Sequence, residues 1–115
     1  MKKTQSLKRN IDFMNLYKNG RSFANRYLVM FVLENELEKN RLGISVSKKV
    51  GNSVVRNRIT RLISESYRLS EEHFKDGIDI VIVARTTARG TTYGEIESAV
   101  KHLGKLHKVY IPLCK

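Results

Sequence analysis

Apolar and polar residues alternate most regularly between residues 41 and 47, where every second side chain is apolar: Leu42, Ile44 and Val46. A period of two predicts a strand with one face on the core. The apolar stretch at about residues 27–34 predicts a second strand, and the apolar run at residues 78–84 predicts a central strand buried on both faces. Because a short edge strand is also expected near Phe23, the pattern predicts a sheet of three to four strands.

Three other segments carry apolar residues at helical spacing and predict helices at about residues 11–19, 51–68 and 93–110. Gly20 is the expected C-cap of the first helix. Elements of this kind in 115 residues predict an α+β fold, a single α/β sandwich domain with a small, mostly antiparallel sheet. A basic N-terminal tail is expected at about residues 1–8, and a C-terminal tail at about residues 111–115.

The second predicted helix has two unlike faces. The face expected to pack on the sheet carries Val55, Ile59, Leu62, Ile63 and Ser66. The opposite face, with its flanking positions, carries Arg56, Asn57, Arg58, Arg61, Ser64 and Arg68. Only Glu65 is close enough to neutralise this charge, so ion pairs within the helix do not account for it. Arginine binds phosphate through two parallel hydrogen bonds, and asparagine can bind a base edge or a 2′-hydroxyl, so this face indicates a nucleic-acid partner.

The charge of the whole chain supports this interpretation. The sequence has 22 Lys and Arg against 11 Asp and Glu, a net charge of +11 and a pI of about 10, and such a surplus attracts polyanions. Lys48 and Lys49 lie between the predicted strand and the basic helix. Asn52 lies where a helix N-terminus could bind an anion, although it could equally serve as an N-cap.

The first predicted helix is more apolar than packing on one core face requires. Ile11 and Met14 share one side, whereas Phe13, Leu16 and Tyr17 occupy much of the other. Phe13 and Tyr17 are one helical turn apart and could stack on unpaired bases, or they could be ordinary core aromatics. The residues alone leave these two interpretations open.

No residue pattern predicts a catalytic or metal site in the protein itself. The histidines, His73, His102 and His107, are scattered, and there is no HExxH, paired-carboxylate or Cys/His spacing. No apolar run reaches the roughly 18 residues of a membrane span, and the basic start is not followed by the apolar segment of a secretory signal. We therefore expect a cytoplasmic domain that binds nucleic acid and has no membrane partner.

The segment LGISVSKKVGNSVVRNRITRLISESYR, residues 42–68, resembles the signature of the protein subunit of bacterial ribonuclease P. It has an Arg-Asn-Arg core at residues 56–58 after a Lys-Lys-x-Gly-Asn turn. The similarity extends to IDFMNLYKNGRSFANRY at residues 11–27 and DIVIVAR at residues 79–85, so it covers about residues 7–106. The family commonly has a lysine two residues after the core, and this chain has Thr60 there, so the resemblance implies weaker RNA binding at that position with the rest of the basic array intact.

The resemblance implies a subunit of an endoribonuclease in which RNA carries the catalysis. Such a subunit binds the catalytic RNA and the 5′ leader of precursor tRNA and assists removal of the leader, with Mg²⁺ acting in the RNA active site and no cofactor bound by the protein. The resemblance assigns catalytic-RNA binding to Lys48, Lys49, Asn52, Arg56, Asn57, Arg58, Arg61 and Arg68. It assigns leader binding, in a cleft between the first helix and the sheet, to Phe13, Tyr17, Phe31, Asn25 and Arg26. It also implies a left-handed strand–helix–strand crossover through the basic helix, although about 98% of such crossovers are right-handed.

Two other classes of function share parts of this pattern. A ribosomal or other structural RNA-binding protein would have every feature except the signature. A DNA-binding domain that uses the basic helix for recognition is less favoured, because the helix is entered from a strand and not from the preceding helix of a helix-turn-helix. We therefore expect no DNA partner.

Overall fold

The computed structural model describes residues 4–111. The strands and helices follow the chain in this order: β1 (Thr4–Ser6), α1 (Asn10–Asn19), β2 (Arg21–Ala24), β3 (Leu28–Glu34), β4 (Asn40–Ser45), α2 (Ser53–Ser70), β5 (Ile78–Ala84) and α3 (Tyr93–Leu106). Short 3₁₀ turns at Glu71–His73 and Thr86–Ala88 flank β5. Residues 112–115 of the predicted C-terminal tail and residues 1–3 of the predicted N-terminal tail lie outside the described residues.

The strands form one sheet in the order β1-β4-β5-β3-β2. β4 pairs in parallel with β1 and β5, whereas β3 pairs antiparallel with β5 and β2. The prediction of a mostly antiparallel sheet with three to four strands is therefore wrong in these details, because residues 4–111 form a mixed sheet of five strands. The edge strand expected near Phe23 is confirmed as β2, and the strand not predicted is β1.

β1 lies within the segment assigned to the basic tail, and contacts distant in sequence hold it. The Thr4 hydroxyl is hydrogen-bonded to the Tyr67 hydroxyl of α2 at 3.0 Å, and Leu7 just after the strand donates its N–H to the carbonyl of Leu42 at 2.8 Å. Three residues are too few to show an alternating pattern. Pairing with β4 and the hydrogen bond to α2 therefore determine this strand more than its own sequence does.

The helices pack on both faces of the sheet. Successive side chains of a strand point to opposite faces, so Leu28, Met30 and Ile80 belong to the main core beneath α2 and α3. Val81 faces the other way and packs with Leu16 of α1 in a second, smaller core. β5 is thus buried on both faces, as predicted, and α1 lies across the sheet from α2 and α3.

The buried face of α2 follows the predicted wheel at Ile59, Ile63 and Ser66.

α3 begins with a capping box between Thr92 and Glu95 and ends at Leu106, whereas the spacing predicted an end near residue 110. The chain leaves α3 through Lys108, which has a positive φ of 62°. A residue in this left-handed conformation ends a helix, so the prediction of the C-terminus of α3 was too long.

Gly20 ends α1 as predicted, although its φ of −79° is not left-handed. A Cβ at this position would lie 2.7 Å from the carbonyl oxygen of Leu16 and 3.1 Å from that of Val32. Glycine is required here because the chain passes very close to other backbone atoms.

β4 and β5 are adjacent parallel strands joined through α2, which is the strand–helix–strand unit that the resemblance implies. Its left-handed connection stays a prediction. Among the residues that the structure describes, no helix is long and apolar enough to cross a membrane.

Candidate nucleic-acid interface

The outward side of α2 carries a basic face, which we define as Arg56, Asn57, Arg58, Arg61 and Arg68. Arg56 is half-buried and the other four side chains are exposed. The opposite side of the helix is anchored by Ile59 and Ile63, which are buried in the main core. The apolar positions therefore fix the rotation of α2 and turn the arginines towards solvent.

Two arginines of the basic face are held by backbone carbonyls. Arg56 Nε donates to the carbonyl of Gly51 at 3.2 Å, and Arg58 Nη2 donates to the carbonyl of Thr91 at 2.7 Å. Neutral carbonyls leave the positive charge of each guanidinium uncompensated. These hydrogen bonds restrict the side chains, so less conformational entropy is lost when they bind a phosphate.

Arg68 and Arg61 differ from these two. Arg68 forms an ion pair with Glu65, and this hydrogen bond lowers the pKa of Glu65 and raises the pKa of Arg68. Arg61 forms no hydrogen bond or ion pair with any residue between 4 and 111. Arg61 is therefore the cation of the basic face that is most available to bind a phosphate, whereas the charge of Arg68 is partly neutralised by Glu65.

The turn before α2 presents two lysines and a helix cap. Lys48 and Lys49 are exposed, while the next residue, Val50, is buried and donates its N–H to the carbonyl of Ser47 at 3.1 Å. The side chain of Asn52 accepts a hydrogen bond from the N–H of Val55 at 3.0 Å. Asn52 is thus the N-cap of α2, the alternative that the sequence left open beside anion binding.

Thr60, at the position where the resemblance predicts a lysine, is half-buried on α2. Its hydroxyl donates to the carbonyl of Arg56 at 2.9 Å. The side chain is therefore occupied within the helix and adds neither charge nor a free donor to the basic face.

An aromatic cluster, which we define as Phe13, Tyr17 and Phe31, lies on the α1 face of the sheet. The ring centroids of Tyr17 and Phe31 are 4.9 Å apart in an edge-on arrangement, and those of Phe13 and Tyr17 are 6.4 Å apart. Tyr17 is 43% exposed, whereas its neighbour Leu16 is fully buried. Leu16 therefore anchors α1 to the sheet, and the cluster stays partly open to solvent.

The strands beneath α1 shape this surface. A Cβ at Gly43 of β4 would lie 2.5 Å from Cζ of Phe13, so only glycine leaves room for that ring. Beside the cluster, Val29, Val83 and Ser45 lie in register across three strands and are half-buried. Val29 and Val83 extend the apolar surface along the sheet, and Ser45 adds a hydroxyl beside them; none of the three stands out in the sequence pattern. A glycine inside a strand, here Gly43, is the sequence feature that indicates close packing of another side chain against the backbone.

Asn25 and Arg26 lie apart from the aromatic cluster, in the turn between β2 and β3. The Asn25 side chain donates to the carbonyl of Ala99 at 3.0 Å and contacts His102 Nδ1 at 3.2 Å, so it points to α3 across the sheet from α1. Arg26 is exposed and lies over the ring of Tyr27, 5.5 Å from its centroid. The structure therefore brings together three of the five residues predicted to bind the leader.

The chain is similar to known proteins over most of its length. Residues 1–108 match the family model described as Ribonuclease P. The ribonuclease P protein component of Lachnoclostridium phytofermentans is 64% identical over 106 residues, which cover 92% of this chain and 91% of that protein. That of Clostridioides difficile is 48% identical over 104 residues, with coverages of 90% and 91%.

Solved structures have the same fold. The Staphylococcus aureus RNase P protein superposes with a TM-score of 0.85 at 42% identity, covering 91% of this chain and 96% of that one. The RNase P protein from Thermotoga maritima superposes with a TM-score of 0.80 at 27% identity, with coverages of 86% and 94%.

Proposed function

The chain belongs to the ribonuclease P protein family, the protein component of an endoribonuclease that contains ribonuclease P RNA, and we propose that its basic face binds that RNA. The observation that carries this proposal is the neighbourhood of the arginines. Arg56 and Arg58 are held by neutral carbonyls, Arg61 is unpaired within residues 4–111, and only Arg68 has an acidic partner. Uncompensated guanidinium groups on a rigid helix suit the phosphates of a folded RNA.

The aromatic cluster is the proposed site for the unpaired 5′ leader of precursor tRNA. Base stacking needs an aromatic ring that solvent can reach. Tyr17 is 43% exposed, while Phe13 of the same helix and Phe31 of β3 pack beside it. Lys48 and Lys49, in the turn after β4, lie next to the basic face and are proposed to bind the catalytic RNA together with it. Arg26 is proposed to reach the leader from outside the cluster, and Asn25 to position the β2–β3 turn.

Catalysis is proposed to reside in the RNA, with Mg²⁺ in the RNA active site. Within residues 4–111, no three His, Cys, Asp or Glu side chains come together in a group that could hold a metal ion. We therefore derive no catalytic step on the protein. Its proposed contribution is to position the substrate and to neutralise phosphate charge.

The experiment that tests this function is cleavage of precursor tRNA at low Mg²⁺, with catalytic RNA alone, protein alone and the two combined. We expect the combination to cleave faster than the RNA alone and the protein alone to be inactive. Metal-dependent cleavage by RNA-free protein would contradict the assignment of catalysis to the RNA. A structural RNA-binding role, the alternative considered above, predicts no acceleration, and family membership does not favour it.

A further inference from the structure

A second basic surface lies at the end of the sheet where β3 ends and β5 begins. A cavity of about 500 Å³ there is lined by three cationic side chains, Arg21, Lys75 and Lys108, together with Asn19, Glu34 and His107. We call it the basic cavity. Because α2 begins after the carboxyl end of β4 and β4 runs parallel to β5, this cavity is at the opposite end of the sheet from Lys48, Lys49 and the start of α2. A strand of this length separates the two ends by about 20 Å.

Separate segments of the chain hold the three cations in place. Arg21 is the first residue of β2 and directly follows Gly20, which lies very close to the backbone of Leu16. The N–H of Lys75 donates to the carbonyl of Val109 at 2.8 Å, which ties the loop before β5 to the segment after α3. The N–H of Lys108 donates to the carbonyl of Lys105 at 3.0 Å. Main-chain hydrogen bonds therefore fix where these side chains start.

Lys108 occupies a position where glycine is favoured. Its φ of 62° is left-handed, and a side chain there costs conformational energy that glycine avoids. Energetically unfavourable backbone positions are often found at functional sites. Lys108 therefore places a cationic side chain in the lining of the basic cavity although glycine would suit its backbone better.

His107 contributes a buried imidazole to the same lining. Its Nε2 donates to the carbonyl of Met30 at 2.8 Å, and its Nδ1 has no hydrogen-bond partner among residues 4–111. Burial lowers the pKa of His107, the hydrogen bond to Met30 raises it, and the positive charge of Arg21 lowers it. Arg21 and His107 both line the basic cavity. The NMR resonances of the His107 ring should therefore respond to an anion that binds in the basic cavity.

Other charges oppose the binding of a small anion. Glu34 forms an ion pair with Lys75 at 3.0 Å, and its side chain is 74% exposed. α1 and α3 both end beside the cavity, and helix C-termini carry partial negative charge. A free phosphate would be attracted only by exposed cations, and the negative charge of Glu34 and of the two helix C-termini would oppose its binding. A phosphate in an RNA strand that α2 already binds needs a weaker attraction to occupy the cavity, because its effective concentration at a second contact is high.

We propose that the basic cavity binds a backbone phosphate of the same RNA that the basic face of α2 binds, as a second contact at the opposite end of the sheet. This inference rests on the proposed function, which supplies the RNA. It predicts that the RNA reaches around the end of the domain where β5 begins, in contact with Arg21 and Lys108.

The test measures the affinity of the full chain for the catalytic RNA as a function of salt. We expect Lys108→Gly and Arg21→Gln each to reduce the slope of log K against log salt by about 0.7–0.9, and the double variant by about twice that. Lys108→Gly is compatible with the positive φ, so its fold should be retained. Glu34→Gln should steepen the slope, and Lys39→Gln, an exposed lysine outside the cavity, should leave it unchanged. If the double variant behaved like Lys39→Gln, the proposal would be overturned.

A second measurement separates RNA from small phosphates. The ring resonances of His107 are recorded while inorganic phosphate or the catalytic RNA is added. We expect the RNA to shift them and Lys108→Gly to reduce that shift. A shift with inorganic phosphate and an unchanged salt slope would mean a small-anion site and would overturn the RNA assignment. Failure of the proposed function would appear differently, as no binding of the RNA by the unaltered protein.

Discussion

Replacing Tyr17 by alanine tests whether the aromatic cluster binds RNA or is part of the core. Tyr17 is 43% exposed and contacts Phe31 edge-on at a centroid distance of 4.9 Å. The substitution removes the exposed ring but leaves Leu16, which is fully buried and anchors the same helix. A functional ring and a structural ring therefore predict different results at this residue.

The structure allows the two effects to be estimated. An aromatic pair contributes about 0.5–1.5 kcal/mol beyond its buried area, and a fully buried aromatic truncated to alanine costs about 3–5 kcal/mol of folding stability. Because much of Tyr17 is exposed, we expect its loss to cost about 1–2 kcal/mol. Loss of a base-stacking surface should weaken leader binding by about 1–3 kcal/mol, which is about 5- to 150-fold in Kd.

The assay compares binding of precursor tRNA and mature tRNA by the reconstituted holoenzyme, together with thermal unfolding of the protein. Tyr17→Ala should weaken binding of precursor tRNA and spare mature tRNA, while Tyr17→Phe, which keeps the ring, should restore most of the difference. Leu16→Ala is the core control, expected to cost about 2–5 kcal/mol of stability without selecting against the leader. Equal losses for precursor and mature tRNA in Tyr17→Ala, with a stability loss as large as that of Leu16→Ala, would refute the reasoning.

Three further predictions concern other parts of the molecule. Arg61→Ala should reduce the slope of log K against log salt for the catalytic RNA by about 0.7–0.9, and an unchanged slope in a folded variant would assign this side chain to solvent. Gly43→Ala should cost about 1–3 kcal/mol of stability, because the added Cβ would lie 2.5 Å from the Phe13 ring; unaltered melting and leader binding would contradict the close approach. Because burial lowers the pKa of His107 in the folded protein, the unfolded chain binds a proton there first as the pH falls. The unfolding free energy should therefore decrease from about pH 6.5 down to the lowered folded pKa. His107→Gln should remove this dependence, and a variant that kept the full pH dependence of the unaltered protein would show that another group causes it.

Local periodicity predicted the elements whose burial is regular along the chain. The apolar run of β5 and the buried face of α2 were found because each repeats its pattern over several residues, as at Ile59 and Ile63. The end of α3 was missed for a related reason. A glycine usually marks such an end, and Lys108 has the left-handed conformation without being glycine.

Features that depend on distant contacts could not be predicted from the pattern. Asp79 lies within the apolar run of β5 and is buried. Arg41 donates to both of its oxygens, from Nε at 2.8 Å and Nη2 at 2.6 Å, and Asn35 donates at 2.8 Å. A buried carboxylate is tolerated only with such partners. The orientation of Asn25 towards α3 has the same character, because spacing along the chain does not determine which face of the sheet a turn side chain contacts.

The aromatic cluster and the basic face both depend on the register of one strand. Gly43 of β4 faces α1 and makes room for Phe13, whereas Leu42 and Ile44 face the other way, into the core beneath α2. Because side chains alternate with a period of two, a shift of one residue would place bulky side chains under the aromatic cluster and a glycine under the basic helix. A change that alters the register of β4 should therefore disturb both surfaces together. A substitution on one face can affect one RNA contact alone, and for this reason the variants of Tyr17 and Arg61 are expected to separate leader binding from catalytic-RNA binding.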